Sequence, residues 1–253
     1  MKLTVLGTSA AYPGPDTPCS GYLIQDGDRN ILLDCGSGVL GVLQAHLDLR
    51  SVSDIVISHM HADHFLDLVP YRYALEYGLP NSEGHNKPRL YLPPQGVKSL
   101  NRVVSPFAES KTFFSDVFEV SEYKPEIPLQ LGRFVVGFVA VRHYLPTYAL
   151  SITGSKKLAY TSDSALCPEL LQVAKDADLF LCNVGRCLGA NIAHLWGHLL
   201  PEEAGALAKE AGVKRLMISH LWPSCDRALS LQKASDAFGS RAELAEINHT
   251  YIL

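Results

Sequence analysis

Ser58-His59-Met60-His61-Ala62-Asp63-His64 closes the short apolar run Asp54 to Ser58, which reads as a buried strand delivering His59 at its carboxyl end. Four ligand-type side chains thus fall between positions 59 and 64. In an extended turn His59 and His61 lie on one side and can share a divalent ion, while Asp63 and His64 can face a second. Imidazole nitrogens bind zinc at about 2.0 to 2.1 Å, and each first-row ion takes four or more ligands, so this loop cannot close both sites alone.

Three further residues follow predicted strands. His143 comes after Phe134 to Val141, Asp163 after Leu158 to Thr161 and His220 after Arg215 to Ser219. Strand carboxyl ends share one rim of a layered α/β fold, where ligands gather. Each residue alone reads more readily as a hydrogen-bonded strand end, and its weight comes from the loop at 59 to 64. An aspartate between two ions can bridge them. Two ions about 3.5 to 4 Å apart polarise a phosphoryl or carbonyl oxygen and lower the pKa of water toward neutrality, which is the chemistry of hydrolysis. His46, His85 and His249 lack such company and read as ordinary histidines, whereas His194, four positions before His198, stays open.

Outward from these residues, strand and helix alternate. Lys2 to Leu6, Tyr22 to Gln25 and Asn30 to Asp34 read as strands, the first two joined by a loop rich in Gly, Pro, Ser and Thr, of a length that is often functional. Helices are predicted over 38–47, 65–77, 168–175 and 201–211, with further strands over 148–152 and 179–182. Residues 84–126 have weak periodicity and yield no order of elements. With 253 residues, 47% of them hydrophobic, one domain over 1–253 is expected. The net charge is −4, and the only adjacent basic pairs are Lys156-Lys157 and Lys214-Arg215, which excludes an electrostatic track for a long nucleic acid. Six cysteines at 19, 35, 167, 182, 187 and 225 form no C-x-x-C pair, so reduced thiols in a cytoplasmic protein are expected. The apolar stretch Leu3 to Leu6 ends at Gly7, too soon for a signal peptide, and the longest apolar run, Phe134 to Val141, has a strand's length and not a membrane span's.

H-x-H-x-D-H resembles the signature of the metallo-β-lactamase superfamily, and the similarity extends to V-L-G-T-S at Val5 to Ser9 and L-L-D-C-G-S-G at Leu32 to Gly38. The resemblance implies an α/β fold of the four-layer αββα type with two divalent ions. Zinc is expected, and manganese or iron also accepts the mixed nitrogen and oxygen set. His198, followed by Leu-Leu-Pro-Glu-Glu-Ala-Gly and then by Val213 to His220, is similar to the H-x-x-x-x-E-A-G helix and closing strand of the tRNase Z and phosphodiesterase branch. Lactonases and glyoxalases lack this histidine. By that resemblance His59, His61 and His143 bind one ion, Asp63, His64 and His220 the other, and Asp163 bridges. Asp63 would also orient the nucleophile, and His198, beyond the ligands, would protonate the leaving oxygen, a task to which imidazole is matched at pH 7. Pro201 followed by Glu202 and Glu203 marks a helix start, so His198 precedes an electropositive terminus near which a phosphate could be held. A homodimer is implied by the branch, although no residue pattern marks an interface.

Lactonases, glyoxalase II, nucleases and phosphodiesterases share the signature, so the substrate needs narrower signals. In the resembled branch a tRNA 3'-processing enzyme carries a long arm between the third-motif histidine and the bridging aspartate. Here His143 and Asp163 stand 20 residues apart (163 − 143), in a strand-turn-strand pattern. Together with the loop Pro13 to Leu23, the chain looks most like short actinobacterial and bacillary relatives associated with cyclic-nucleotide phosphodiesterase activity. A small phosphodiester or nucleotide substrate is therefore expected, with no membrane and no extended nucleic acid. A tRNA-processing enzyme lacking the arm and a lactone or thioester hydrolase are the alternatives. Asn183 departs from the branch, which often has an acid there. Tyr12, Phe65, Tyr71, Tyr144 and Trp222 flank the site residues in sequence and could stack on a base, although core packing is the commoner role of such rings.

Overall fold

Alternation of side chains sorts the first strands' apolar residues onto two faces. In β1 (Lys2–Gly7), β2 (Gly21–Asp26) and β3 (Arg29–Cys35), the residues Leu3, Val5, Tyr22, Ile24, Ile31 and Leu33 enter one core while Leu6, Leu23 and Leu32 enter another. Such a sheet must be covered on both sides. The structure is a computed structural model and describes residues 1–78, 87–108, 110, 112–187 and 196–253.

Three parallel partners, β4 (Asp54–Val56), β5 (Arg89–Leu92) and β6 (Glu119–Glu122), extend this sheet beyond β3. A second sheet runs through β7 (Leu129–Leu131), β8 (Phe134–Val141), β9 (Thr147–Thr153), β10 (Lys157–Tyr160), β11 (Leu179–Asn183), β12 (Leu216–Ser219) and β13 (Glu243–Leu244), and the last strand, β14 (Thr250–Ile252), returns to pair with β1. Each sheet has seven strands, in the orders β14-β1-β2-β3-β4-β5-β6 and β13-β12-β11-β10-β9-β8-β7. Each is antiparallel on one side and parallel on the other.

The sheets meet through Tyr22, Ile24 and Leu33 on one side and Phe134, Leu150, Tyr160 and Met217 on the other. Helices α1 (Val39–Leu43), α3 (Leu68–Tyr73) and α4 (Gly96–Val104) cover the first sheet's outer face. Helices α5 (Glu169–Ala174), α6 (Pro201–Glu210) and α7 (Arg227–Phe238) cover the second sheet's outer face. This is the four-layer αββα sandwich that the resemblance implies. No helix among the described residues is long and apolar enough to cross a membrane.

Several local expectations fail for tertiary reasons. The helix predicted over 38–47 is regular only through Leu43, because the next turn tightens to i→i+3 bonds, Ala45 N to Val42 O and His46 N to Leu43 O. The helix predicted over 65–77 breaks into α2 (Ala62–Phe65), α3 and a π turn at Ala74–Gly78. Asp67 lies at the break, its N–H bonded to Cys35 O and its carboxylate accepting from Leu40 N, so bonds to other elements replace helix continuity. The thiol expectation is also corrected. Cys187 and Cys225 form a disulfide with Cα atoms 5.8 Å apart, joining the loops after β11 and β12, while Cys19, Cys35, Cys167 and Cys182 stay free and buried.

Candidate metal centre

The candidate residues stand at the carboxyl ends of strands from both sheets. Asp34 ends β3, His59 follows β4, His143 follows β8, Asp163 follows β10, Asn183 ends β11 and His220 follows β12. At the same rim four non-glycine residues, Ala11, Asp34, Ser162 and His220, take left-handed backbone angles, with φ of 57°, 56°, 52° and 59°. Each such residue costs on the order of 1–3 kcal/mol, and strain of this kind persists where surrounding structure demands a particular side-chain placement.

Two groups of ligand atoms result, each within 4.8 Å: His59, His61, His143 and Asp163, and then Asp63, His64, Asp163 and His220. Nδ1 of His61 lies 3.1 Å from Nε2 of both His59 and His143. Ligands about 2.0–2.1 Å from a tetrahedral ion stand roughly 3.3 Å apart, so the spacing fits a shared cation. In the second group Nε2 of His220 is 3.2 Å from Asp63 Oδ2 and 3.5 Å from Asp163 Oδ2, and Nε2 of His64 is 3.4 Å from that same Asp163 oxygen. Asp163 Oδ2 also approaches His59 and His143, at 3.7 and 3.8 Å, so one oxygen belongs to both groups. His64 Nε2 is buried and has no hydrogen-bond partner, as expected of a nitrogen reserved for a cation.

Charge points the same way. Burial opposes ionisation of both His64 and Asp163, yet their attraction outweighs it. The carboxylates of Asp163, Asp63 and Asp34 hold the His64 imidazolium well above its usual range, and His220, His64 and His198 hold Asp163 well below the carboxylate range. A divalent ion bound here would balance the same buried carboxylates.

A second layer of side chains orients the first. Asp34, fully buried, accepts from Ser58 N at 2.8 Å, Ser58 Oγ at 2.9 Å, His64 Nδ1 at 2.8 Å and Tyr160 OH at 2.9 Å. It fixes the tautomer of His64 and aims its free nitrogen inward. His143 is turned likewise by Nδ1 donating to Gly197 O at 2.8 Å. Asn183 donates through Nδ2 to Tyr160 OH at 3.0 Å and to Asp163 Oδ1 at 2.9 Å, so a neutral amide holds the shared carboxylate. Sequence reasoning quoted Asp34 within L-L-D-C-G-S-G without giving it a task. Asp34→Asn is expected to weaken metal affinity about 10- to 100-fold, measured by competition with a chromogenic chelator. Unchanged affinity would mean that this carboxylate does not support the centre.

His198 belongs to neither group. It precedes α6, whose first helical residue is Pro201 and whose Glu203 carboxylate accepts from Leu200 N at 2.8 Å. Its Nδ1, buried without a hydrogen-bond partner, lies 3.9 Å from Asp163 Oδ2, and its ring packs on His143 and His220. Burial pushes its imidazolium down to about 4, although Asp163 pulls the other way. Gly185 allows this seat, because a Cβ there would stand 2.6 Å from His198 Nδ1.

Of the aromatic candidates, Phe65 and Tyr71 are buried in the core beneath the first sheet's helices and do not reach the centre. Tyr12 and Trp222 pair with each other, and Tyr144 packs on His143 and on Trp196, a ring that sequence reasoning overlooked. His46 bonds to Asn248 and His249 packs on Tyr251, in neither ligand group. His85 and His194 lie outside the described residues.

Known proteins resemble this chain in sequence and in fold. The family described as anti-Pycsar protein Apyc1 matches residues 1–195. The chain is 34% identical to the uncharacterized protein Rv1339 of Mycobacterium tuberculosis, over 92% of this chain and 86% of that one. It is 33% identical to YhfI of Bacillus subtilis over 87% of each. The crystal structure of YhfI, a metallo-β-lactamase fold protein, superposes with a TM-score of 0.88 at 27% identity, covering 99% of this chain and 98% of that one. The short form of human tRNase Z shares the fold at a TM-score of 0.76 and 21% identity, covering 100% and 99% of the two chains.

Proposed function

Since the chain belongs to the family described as anti-Pycsar protein Apyc1, within the tRNase Z and phosphodiesterase-like branch of the metallo-β-lactamase superfamily, we propose that it is a binuclear metal-dependent phosphodiesterase of cyclic nucleotides or comparable small phosphodiesters. His198 carries this reading, as a buried imidazole beside the shared Asp163 oxygen yet outside both ligand groups. A departing ribose oxygen needs a proton, and a positioned histidine can supply it.

In this proposal His59, His61 and His143 would hold one ion and Asp63, His64 and His220 the other, with Asp163 common to both groups. Two divalent ions held there, zinc by preference, would supply Lewis acidity and lower the pKa of water toward neutrality. The chain's own groups do the positioning. Asp63 Oδ2, pinned by Ala11 N at 2.9 Å, would accept a hydrogen bond from the attacking water and fix its direction. Burial favours the neutral His198 imidazole, and an anionic phosphoryl group beside it would favour the imidazolium that donates the proton.

The net charge of −4 and the plain hairpin β9–β10 between His143 and Asp163, where the resemblance would place a tRNA-binding arm, support a small substrate over tRNA. The test supplies zinc or manganese and compares 3',5' and 2',3' cyclic nucleotides with precursor tRNA, a lactone and a thioester. Cyclic nucleotides are expected to be hydrolysed with the highest kcat/KM. Preferred cleavage of the tRNA or of a carboxyl ester would replace this reading with one of its alternatives.

A further inference from the structure

Four large rings form two pairs on the segments next to His198. Tyr144 and Trp196 have centroids 4.6 Å apart, and Tyr144 also packs on His143 at 4.7 Å and lies 6.0 Å from His198. Its hydroxyl accepts from Gly197 N at 3.2 Å, which fixes the ring's tilt. Trp222 and Tyr12 form the other pair, centroids 6.0 Å apart. Trp222 Nε1 donates to Gly185 O at 2.8 Å, and Gly185 abuts the His198 ring. Tyr12 follows Ala11, whose N–H bonds to Asp63. The pairs therefore reach the same imidazole from two directions, one through Gly185 and the other through Tyr144.

Two of these rings, Tyr144 and Trp222, are held by hydrogen bonds to backbone. Tyr12, Tyr144 and Trp196 are 51%, 42% and 47% exposed, whereas Tyr22, Tyr71 and Tyr160 are fully buried in the cores. Exposed rings anchored by hydrogen bonds to backbone are pre-organised stacking surfaces, with little mobility left to lose on binding.

We infer that this mouth is a stacking subsite for a nucleobase, with Tyr144 its principal platform and Trp196, Tyr12 and Trp222 enclosing it; the inference rests on the phosphodiesterase reading. The chemistry links the two. His198 donates its proton to an oxygen of the ribose, and the base is carried on that same ribose, so a substrate seated for proton transfer directs its base toward these rings. Stacking uses the π-face that all bases share, so the subsite accepts purines and pyrimidines alike.

Both tryptophans of the chain, Trp196 and Trp222, lie in these walls, so intrinsic fluorescence reads occupancy without turnover. A non-hydrolysable phosphorothioate analogue of 3',5'-cyclic AMP is expected to quench it, and abasic ribose 3',5'-cyclic phosphate to leave it nearly unchanged. Tyr144→Ala should raise KM for cyclic AMP about tenfold or more and KM for the abasic compound far less, while Tyr144→Phe, which keeps the ring but loses the bond from Gly197 N, should fall between Tyr144→Ala and wild type. Should Tyr144→Ala fail to fold, Trp196→Leu and Trp222→Leu serve, each expected to raise KM only for the base-bearing substrate. Equal quenching by both compounds, or an equal rise in KM for both substrates, overturns the stacking subsite while leaving the phosphodiesterase reading intact. Base-dependent quenching in a protein that hydrolyses neither cyclic AMP nor the abasic phosphate would keep the subsite and sink the reaction.

Discussion

Asp163→Ala is expected to lose at least one bound ion per chain and to lower turnover by about 10³-fold or more, since the unassisted attack of water at neutral pH lacks both Lewis acid and hydroxide. The reason is that one oxygen, Asp163 Oδ2, lies within 3.4 to 3.8 Å of nitrogens from His59, His64, His143 and His220, and so serves both ligand groups. Asp163→Asn keeps the shape and removes the charge, so a similar loss in that variant assigns the effect to charge. Metal content by elemental analysis and kcat/KM for a cyclic nucleotide are the measurements. Full occupancy and activity in Asp163→Ala would remove the bridging role.

Chelation gives a companion result. A ligand bound to the native state at about 100 times its Kd stabilises it by about 2.7 kcal/mol, so stripping the ions should lower Tm by roughly 5 to 11 °C in a chain of this size. Asp163→Ala should then unfold close to the chelated wild type, since both lack the full metal contribution. A Tm indifferent to chelator would mean that no ion is held in the folded state.

His198→Ala is expected to lower kcat for cyclic nucleotides by about 10²- to 10⁴-fold while both ions remain bound. His198 lies 3.9 Å from Asp163 Oδ2 but is outside both ligand groups, so its removal leaves the ligands in place. A diester with a p-nitrophenolate leaving group needs no proton at departure, and its hydrolysis should fall far less. That contrast separates proton donation from a structural role, which would slow both substrates alike. Loss of metal from His198→Ala would instead make the histidine a ligand and refute the assignment.

The ligand loop was legible because it is local. His59, His61, Asp63 and His64 follow one strand within a few residues, and residue type with spacing is enough to mark them. His143, Asp163 and His220 were legible through a weaker rule, that each follows an apolar strand, and the fold does bring all three to the loop. The short helix over 201–210 and the central strands were readable from periodicity and from Pro201. The C-terminal helix α7 went unread, although Asp226, whose side chain accepts from Leu229 N, and Gly239 mark its two ends.

Residue type and spacing by themselves determined the superfamily, the layered class of the fold and the residues able to grip two cations, because those features are written in short segments with fixed periods. Only the tertiary structure decided which groups stand behind and around them. Asp34 meets Tyr160 across 126 positions, Asn183 meets Asp163 from the neighbouring strand, Cys187 joins Cys225 and Trp196 turns onto Tyr144. No local period encodes such pairings. They arise when two sheets pack face to face and the loops at one rim converge, so their partners exist only once the apolar faces of both sheets have been buried.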